Sequence, residues 1–227
     1  LLWALYPGTV KSNFRLGYLA GWFGMCSIFF WIVETVQRFS SLNLPLSYVI
    51  LGLFASAFGL YYAVTWGTAM WLRKRFGTAW VFLTPAVHVA MENLSPALFP
   101  YYEGVTQYRF PEMFQLASVT GSMGLTYLIF WVNCTVAEGL FRHMEGRPQP
   151  LKVYGSVIIV ISGNLVFGHW RHNNVETQLA QARTIQAAII QQNTTMEARM
   201  KENVYEELDS WVTRTASITH LKPDLVV

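Results

Sequence analysis

Charge is what this sequence has least of. Asp, Glu, Lys and Arg make up 13% of its 227 residues, about half the share found in an average soluble domain, and that shortage excludes an ordinary water-soluble globule. Cysteine is scarcer still. Cys26 and Cys134 are the only two, both lie inside apolar runs, and neither belongs to a Cys-x-x-Cys or Cys/His spacing that could hold a metal. They read as packing residues. Internal repeats are lacking, as is any Gly-rich strand-to-helix turn that would cradle a phosphate. No cofactor and no metal are expected. The chain opens without an initiator Met or a signal peptide, and Leu1 to Tyr6 read as the end of an apolar span, so it is expected to be clipped at its N-terminus.

What is present is apolar sequence in long blocks: 53% of the residues are hydrophobic and 15% aromatic. A hydrocarbon core about 30 Å thick takes about 20 apolar residues per helix. Five stretches qualify, at about Phe14 to Val36, Leu46 to Leu72, Ala79 to Leu98, Phe114 to Leu140 and Val153 to His169. The third is interrupted by Pro85, His88, Glu92 and Asn93. The net charge of +3 matters less than its distribution. Lys11 and Arg15, then Arg73, Lys74 and Arg75, then Arg142, Arg147 and Lys152 fall in alternate connections, whereas the opposite connections hold only Arg38 and Arg109. Basic residues of short loops stay on the cytoplasmic side. The fifth span therefore delivers everything after His169 to the other face, which in a bacterium is the periplasm or exterior. Nucleic-acid binding is unsupported, because the basic residues sit in short membrane loops.

The character changes at about Trp170. Residues 1–170 read as a transmembrane helical domain and 171–227 as a polar segment with one short apolar run, Ile185 to Ile190, expected to be a buried strand. From Thr195 to about Ser217, Met196, Met200, Val204, Leu208, Trp211 and Val212 recur at three- and four-residue spacing, which predicts one amphipathic helix. Pro223 ends it, and Leu225-Val226-Val227 opens a second strand. Strand, helix, strand is the first unit of a parallel α/β sheet, expected here to be cut short at the second strand.

These residues resemble the apolipoprotein N-acyltransferases of bacterial inner membranes. The resemblance runs through Leu2-Trp3-Ala4-Leu5, Arg15-Leu16-Gly17-Tyr18, Gly21-Trp22-Phe23-Gly24 and Phe30-Trp31-Ile32. It continues in Met91-Glu92-Asn93-Leu94, similar to the family's Glu-Trp-Leu-Arg, and in Phe99-Pro100-Tyr101, where Phe-Pro-Trp is usual. Phe114-Gln115-Leu116-Ala117, the run Thr120 to Leu125, and Asn133 follow. Ile189-Ile190-Gln191-Gln192-Asn193 is similar to the Val-Gln-x-Asn strand that opens the family's nitrilase-like domain, and Lys222 to Val227 resembles the approach to its Trp-Pro-Glu.

The resemblance implies an eight-span membrane domain with a periplasmic nitrilase-like domain, of which this chain holds about five spans and the first β-α-β unit. It also implies transfer of an acyl chain from a phospholipid donor to the N-terminal amine of a diacylated apolipoprotein. In such chemistry a Cys thiolate attacks the ester, a Glu is general base and a Lys stabilises the oxyanion. None of the three can be placed here: the Glu is expected just after Val227, the Lys and Cys further on, and Cys26 and Cys134 lie within the bilayer. The 227 residues alone are expected to be inactive. Ser95 where Arg is usual, and Tyr101 for Trp, leave room for a relative with altered activity. A non-catalytic structural subunit of a larger membrane complex is the alternative, and a transporter is disfavoured by the missing repeats.

Among polar residues in the spans, His88 and Glu92 stand one helical turn apart, and either serve lipid access or form an internal hydrogen-bonded pair. Glu34 and Glu138, near span ends, are expected at the interface. The loop Phe99 to Arg109 supplies the candidate substrate-binding residues Phe99, Pro100, Tyr101 and Glu103, which with Glu92 would line a lipid-access cleft, although an aromatic belt would look similar. Gly121 and Gly124 are expected to allow close helix approach. His169, His172 and His220 are too scattered for a metal site.

Overall fold

The computed structural model describes residues 8–94, 102–191 and 204–227. It divides into two compact units, Leu1–Asn174 and Val175–Val227.

The first unit is a bundle of helices. α1 (Val10–Ile28) is capped by Thr9, whose hydroxyl accepts from the Ser12 N–H at 3.2 Å. α2 (Ile32–Ser40) follows at a 61° bend. The break contains neither proline nor glycine. Ser27 stands there, its hydroxyl donating to the Phe23 carbonyl at 2.9 Å, a back-bond that bends helices, together with Phe29, which is buried against Phe54 and Phe58. α3 (Leu44–Phe76) starts at Asn43, whose side chain accepts from the Leu46 N–H at 3.1 Å. It stops after Arg73-Lys74-Arg75, at Gly77, whose φ of +54° takes a conformation that side-chain-bearing residues rarely adopt. A 3₁₀ turn, Gly77–Ala79, leads into α4 (Trp80–Leu94).

α3 and α4 form a hairpin. Tyr61 Oη lies 2.5 Å from His88 Nε2, 27 positions on, a separation that would be about 40 Å along a continuous helix. α5 (Ala117–Met144) lies antiparallel to α4, since Trp80 meets Glu138 while His88 meets Phe130. α6 (Leu151–Gln181) returns along α5, with Asn164 Nδ2 donating to the Met113 carbonyl at 3.3 Å. Trp66, Met70, Trp80, Phe130, Trp131 and Phe141 make the apolar centre.

The α1–α3 contact is built on absent side chains. A Cβ on Gly17 would sit 2.8 Å from the Tyr62 carbonyl oxygen, and one on Gly21 would run into the Tyr62 ring. Tyr18 and Phe14 fill the space over Gly59 and Gly67 in return. Without a hydrophobic drive between helices in lipid, such close backbone approach is what holds them. Gly121 and Gly124 do not have the expected role. Gly121 breaks α5 with φ 66° and ψ −172° and has nothing within 4 Å of a Cβ position among the described residues, and the atoms nearest a Cβ on Gly124 belong to Thr120 of its own helix.

The chain is therefore a polytopic helical membrane protein. Among the described residues three helical stretches are long and apolar enough to cross, Leu44–Leu94, Ala117–Met144 and Leu151–Gln181, and a fourth if the bent pair α1 and α2 counts as one. The first of these is the α3–α4 hairpin. The 15 described residues of α4 extend about 22 Å, and the rest of the expected third span, 95–98, lies outside the described residues.

The second unit is small. β1 (Ala187–Ala188) pairs in parallel with β2 (Leu225–Val226), in the register Ala187 to Leu225. The Asp224 carboxylate accepts from the Gln186 N–H at 2.8 Å, and α7 (Val204–Ser217) lies between the strands in sequence. Only two residues of the expected Ile185 to Ile190 strand pair, and it is not buried: Ile185 and Ile189 are 61% and 82% exposed. Two strand fragments and one helix offer too little facing surface to bury such a run. The N-terminal part of the expected helix, 195–203, lies outside the described residues.

Candidate functional site

Three elements bring a polar cluster into the apolar interior. α4 presents His88, which is fully buried, and Glu92 one turn later. α3 presents the adjacent pair Tyr61 and Tyr62. The third contributor is a 3₁₀ stretch, Glu103–Arg109, that folds back between α4 and α5. Glu103 is its first residue and points inward. Its Oε1 accepts from Tyr62 Oη at 2.5 Å and lies 3.3 Å from His88 Nε2, the atom that also contacts Tyr61. Its backbone N–H donates to Glu92 Oε1 at 2.8 Å. The next N–H, of Gly104, donates to Thr126 Oγ1 on α5 at 2.9 Å.

Gly104 is required there. A Cβ would collide with the Ser122 carbonyl and lie 2.8 Å from Leu125 Cβ and from the Thr126 nitrogen. The chain thus enters the bundle at the one position with no side chain, and the carboxylate beside it reaches the imidazole. The His88 ring stacks on Phe130 with centroids 3.4 Å apart. Glu103 belongs to a connection, not to a span. Burial pushes its carboxyl up, but the hydrogen bonds and charge of His88, then Tyr62 and Tyr61, outweigh burial and hold it below the usual carboxylate range.

His88 and Glu92 do not form the direct pair their spacing suggested. They are joined through Glu103, and His88 Nδ1 and Glu92 Oε2 have no hydrogen-bond partner among the described residues. Among the described residues the cluster holds no thiol. Cys134 is fully buried in the apolar centre, and Cys26 packs in the separate apolar cluster around Met25. Among the described residues no group of three or more His, Cys, Asp or Glu could hold a metal ion. The arrangement binds and positions; it fastens a connecting segment to three helices. Phe99, Pro100 and Tyr101, the other expected members, lie outside the described residues.

Glu138 corrects another expectation. It is 2% exposed and not interfacial. Arg73 Nε and Trp80 Nε1 donate to its Oε2 at 2.7 and 2.8 Å, and Arg142 Nε to its Oε1 at 2.6 Å. Arg73 also grips Glu145 with both terminal nitrogens, at 2.7 and 3.0 Å. Glu34, by contrast, is exposed and pairs only with Arg38, one turn away. His169 and His220 lie at the surface, bonded locally to Asn173 and to the Ser217 carbonyl, and His172 is partly exposed.

Comparison with known proteins agrees with this architecture. The family model of the apolipoprotein N-acyltransferase N-terminal domain matches residues 1–135, more than half of the chain. Two proteins named apolipoprotein N-acyltransferase 2, from the copenhageni and Lai serovars of Leptospira interrogans, are each 22% identical over 241 residues, covering 98% of this chain and 40% of their own length. The apolipoprotein N-acyltransferase of Geobacter metallireducens is 28% identical over 169 residues, covering 71% of this chain and 32% of its own. The chain thus spans about a third to two-fifths of the length of these curated relatives. Through the match to that N-terminal domain, the chain belongs to the apolipoprotein N-acyltransferase family.

Proposed function

We propose that the complete protein transfers an acyl chain from a phospholipid to the N-terminal amine of the lipid-bearing cysteine of apolipoproteins, through a Cys thioester. The observation that carries this reading is the family match over residues 1–135, and the names of the relatives point the same way. Under this reading residues 1–170 are the membrane-embedded part, and 171–227 are a periplasmic linker followed by the opening of a nitrilase-like domain. Parallel pairing of β1 with β2, with α7 between them in sequence, supports the latter. The Lys- and Arg-rich connections face the cytoplasm of a bacterium, the protein lies in its inner membrane, and the residues after about Trp170 are periplasmic; the lopsided distribution of basic residues supports this.

Glu92 and Glu103, with Phe99, Pro100 and Tyr101 between them in sequence, form the wall of the cleft by which phospholipid reaches the reacting thiol. The support is physical: the segment that carries Glu103 is fastened to α3, α4 and α5 by four hydrogen bonds or close polar contacts, which gives a rigid border in an otherwise compliant apolar setting. For the chemistry itself the resemblance implies a Cys, a Glu and a Lys.

The test uses the complete protein with isotopically labelled phospholipid. A thioester that is lost on hydroxylamine treatment and absent after Cys→Ala substitution of the family's nucleophile is the expected result, and Glu103→Gln is expected to raise the phospholipid KM more than it lowers kcat. An intact, folded protein that takes up no label overturns the acyltransferase reading and leaves the non-catalytic subunit. An unaltered KM in Glu103→Gln overturns the assignment of the cleft wall alone.

A further inference from the structure

Toward the other end of the bundle, 12 positions along α3 from Tyr61 and so about 18 Å away, a second polar cavity opens where α3 stops, α4 starts and α5 stops. It holds about 330 Å³, and its lining includes Arg73, Lys74, Thr78, Glu138, Arg142 and Arg147. Two of the four cations are committed. Arg73 is taken up by Glu138 and Glu145, and Arg142 by Glu138, the Pro148 carbonyl and Thr78 Oγ1. The other two are less committed. Lys74 has no ion-pair partner among the described residues, and Arg147, 57% exposed, touches Glu145 at 3.2 Å. With Glu138 and Glu145 the only carboxylates in contact among the described residues, positive charge is in excess by two.

Backbone adds to it. The 3₁₀ turn Gly77–Ala79 that leads into α4 has no side-chain cap, and Gly77 and Thr78 line the cavity, so the positive end of the α4 dipole faces the same space. Immediately beside these polar groups in sequence stand large, half-exposed apolar side chains: Trp71 and Phe76, whose rings meet edge to face, are each 49% exposed and Met144 51%. A basic pocket with an apolar margin at a membrane helix end suits a lipid headgroup better than a free anion.

We propose that this cavity binds the phosphate of an anionic glycerophospholipid, with Lys74 and Arg147 neutralising it and Thr78 and the backbone N–H groups of the uncapped Gly77–Ala79 turn donating to its oxygens. Arg73, Arg142 and Glu138 hold the pocket open in shape and are not themselves free to bind. The lipid ties together the ends of three helices that no covalent connection shorter than their loops joins. This site is independent of the acyl donor and of the Glu103 cluster.

The full chain, reconstituted in nanodiscs of phosphatidylcholine with a graded fraction of phosphatidylglycerol, tests it by counting retained lipids with native mass spectrometry. Wild type is expected to retain phosphatidylglycerol selectively. Lys74→Gln and Arg147→Gln are each expected to weaken retention about fivefold, the worth of one juxtamembrane cation near anionic headgroups, with melting temperatures close to wild type because both side chains are exposed. A second measurement needs no variant: retention must fall as salt is raised. Competition by soluble glycerol phosphate distinguishes the sources, since full displacement assigns the site to a phosphate from either source and failure to displace includes the apolar margin in the site. Equal retention of the two lipids by wild type, equal retention by the double variant, or indifference to salt overturns the proposal.

Discussion

Glu138→Gln is the substitution whose effect the structure fixes most tightly. The side chain keeps its volume and one acceptor oxygen but loses its charge, so that Arg73 and Arg142, 13% and 14% exposed, lose the anion between them. Breaking a buried pair by removing one partner costs about 3–5 kcal/mol, most of it the burden of an uncompensated buried charge. Here the cost falls at the low end, about 3 kcal/mol, because Arg73 retains Glu145 and Arg142 retains the Pro148 carbonyl and Thr78. For a chain of this size that is a fall of roughly 6–12 °C in melting temperature. The matched control is Glu34→Gln. That carboxylate makes one exposed i,i+4 contact with Arg38, worth about 0.2–0.5 kcal/mol, a shift of about 1–2 °C at most. Both variants can be followed in detergent by intrinsic tryptophan fluorescence, for which Trp80, a direct donor to Glu138, is an internal reporter. Equal melting temperatures for the two variants would refute the view that Glu138 organises the helix ends.

Two other perturbations act on the Glu103 segment. Gly104→Ala is expected to cost about 1–3 kcal/mol by overpacking against α5, and limited proteolysis should cut the connection around Glu103–Arg109 faster than in wild type. The Glu103 carboxyl, held below its ordinary value of 4.5 in the folded protein, contributes stability that is present above that value and lost as pH falls through the lowered one. The stability gap between wild type and Glu103→Gln, measured by thermal melting, is therefore expected to close on going from neutral pH to well below 4.5, and a gap that widens would contradict the assignment.

Much of the membrane architecture was legible because hydrophobic length is a local, additive property. The blocks that became α3 and α5 could be marked within a few residues of both ends, and that of α6 at its start, although α6 runs past His169 as far as Gln181. What escaped depends on distant partners. Glu138 looks interfacial by its distance from a span end, and Arg73 and Trp80, 65 and 58 positions away, turn it inward together with Arg142. Glu103 sits in a loop rich in aromatic and polar residues, and nothing nearby announces that it will meet His88. The direct His88–Glu92 pair was a sound reading of helical spacing that a second carboxylate, Glu103, supplanted. The bend after Ile28 has no breaker residue to betray it, since it comes from a serine back-bond and the anchoring of Phe29. A usable signal did exist at Gly104, a lone glycine next to an acidic residue in a short connection, which marks a close backbone approach.

The hairpin of α3 and α4 bears on how this protein enters its membrane. α4 carries Pro85, His88, Glu92 and Asn93 within 15 residues, and carboxylates and similar groups are penalised by roughly 2.5–3.5 kcal/mol each at the centre of a lone helix. By itself α4 is a poor candidate for partitioning into lipid. α3 emerges first during synthesis, and its Tyr61 is the group that meets His88. The two helices should therefore leave the insertion machinery as one partnered unit, with lengthening or loosening of the Gly77–Ala79 turn stranding the second helix in water.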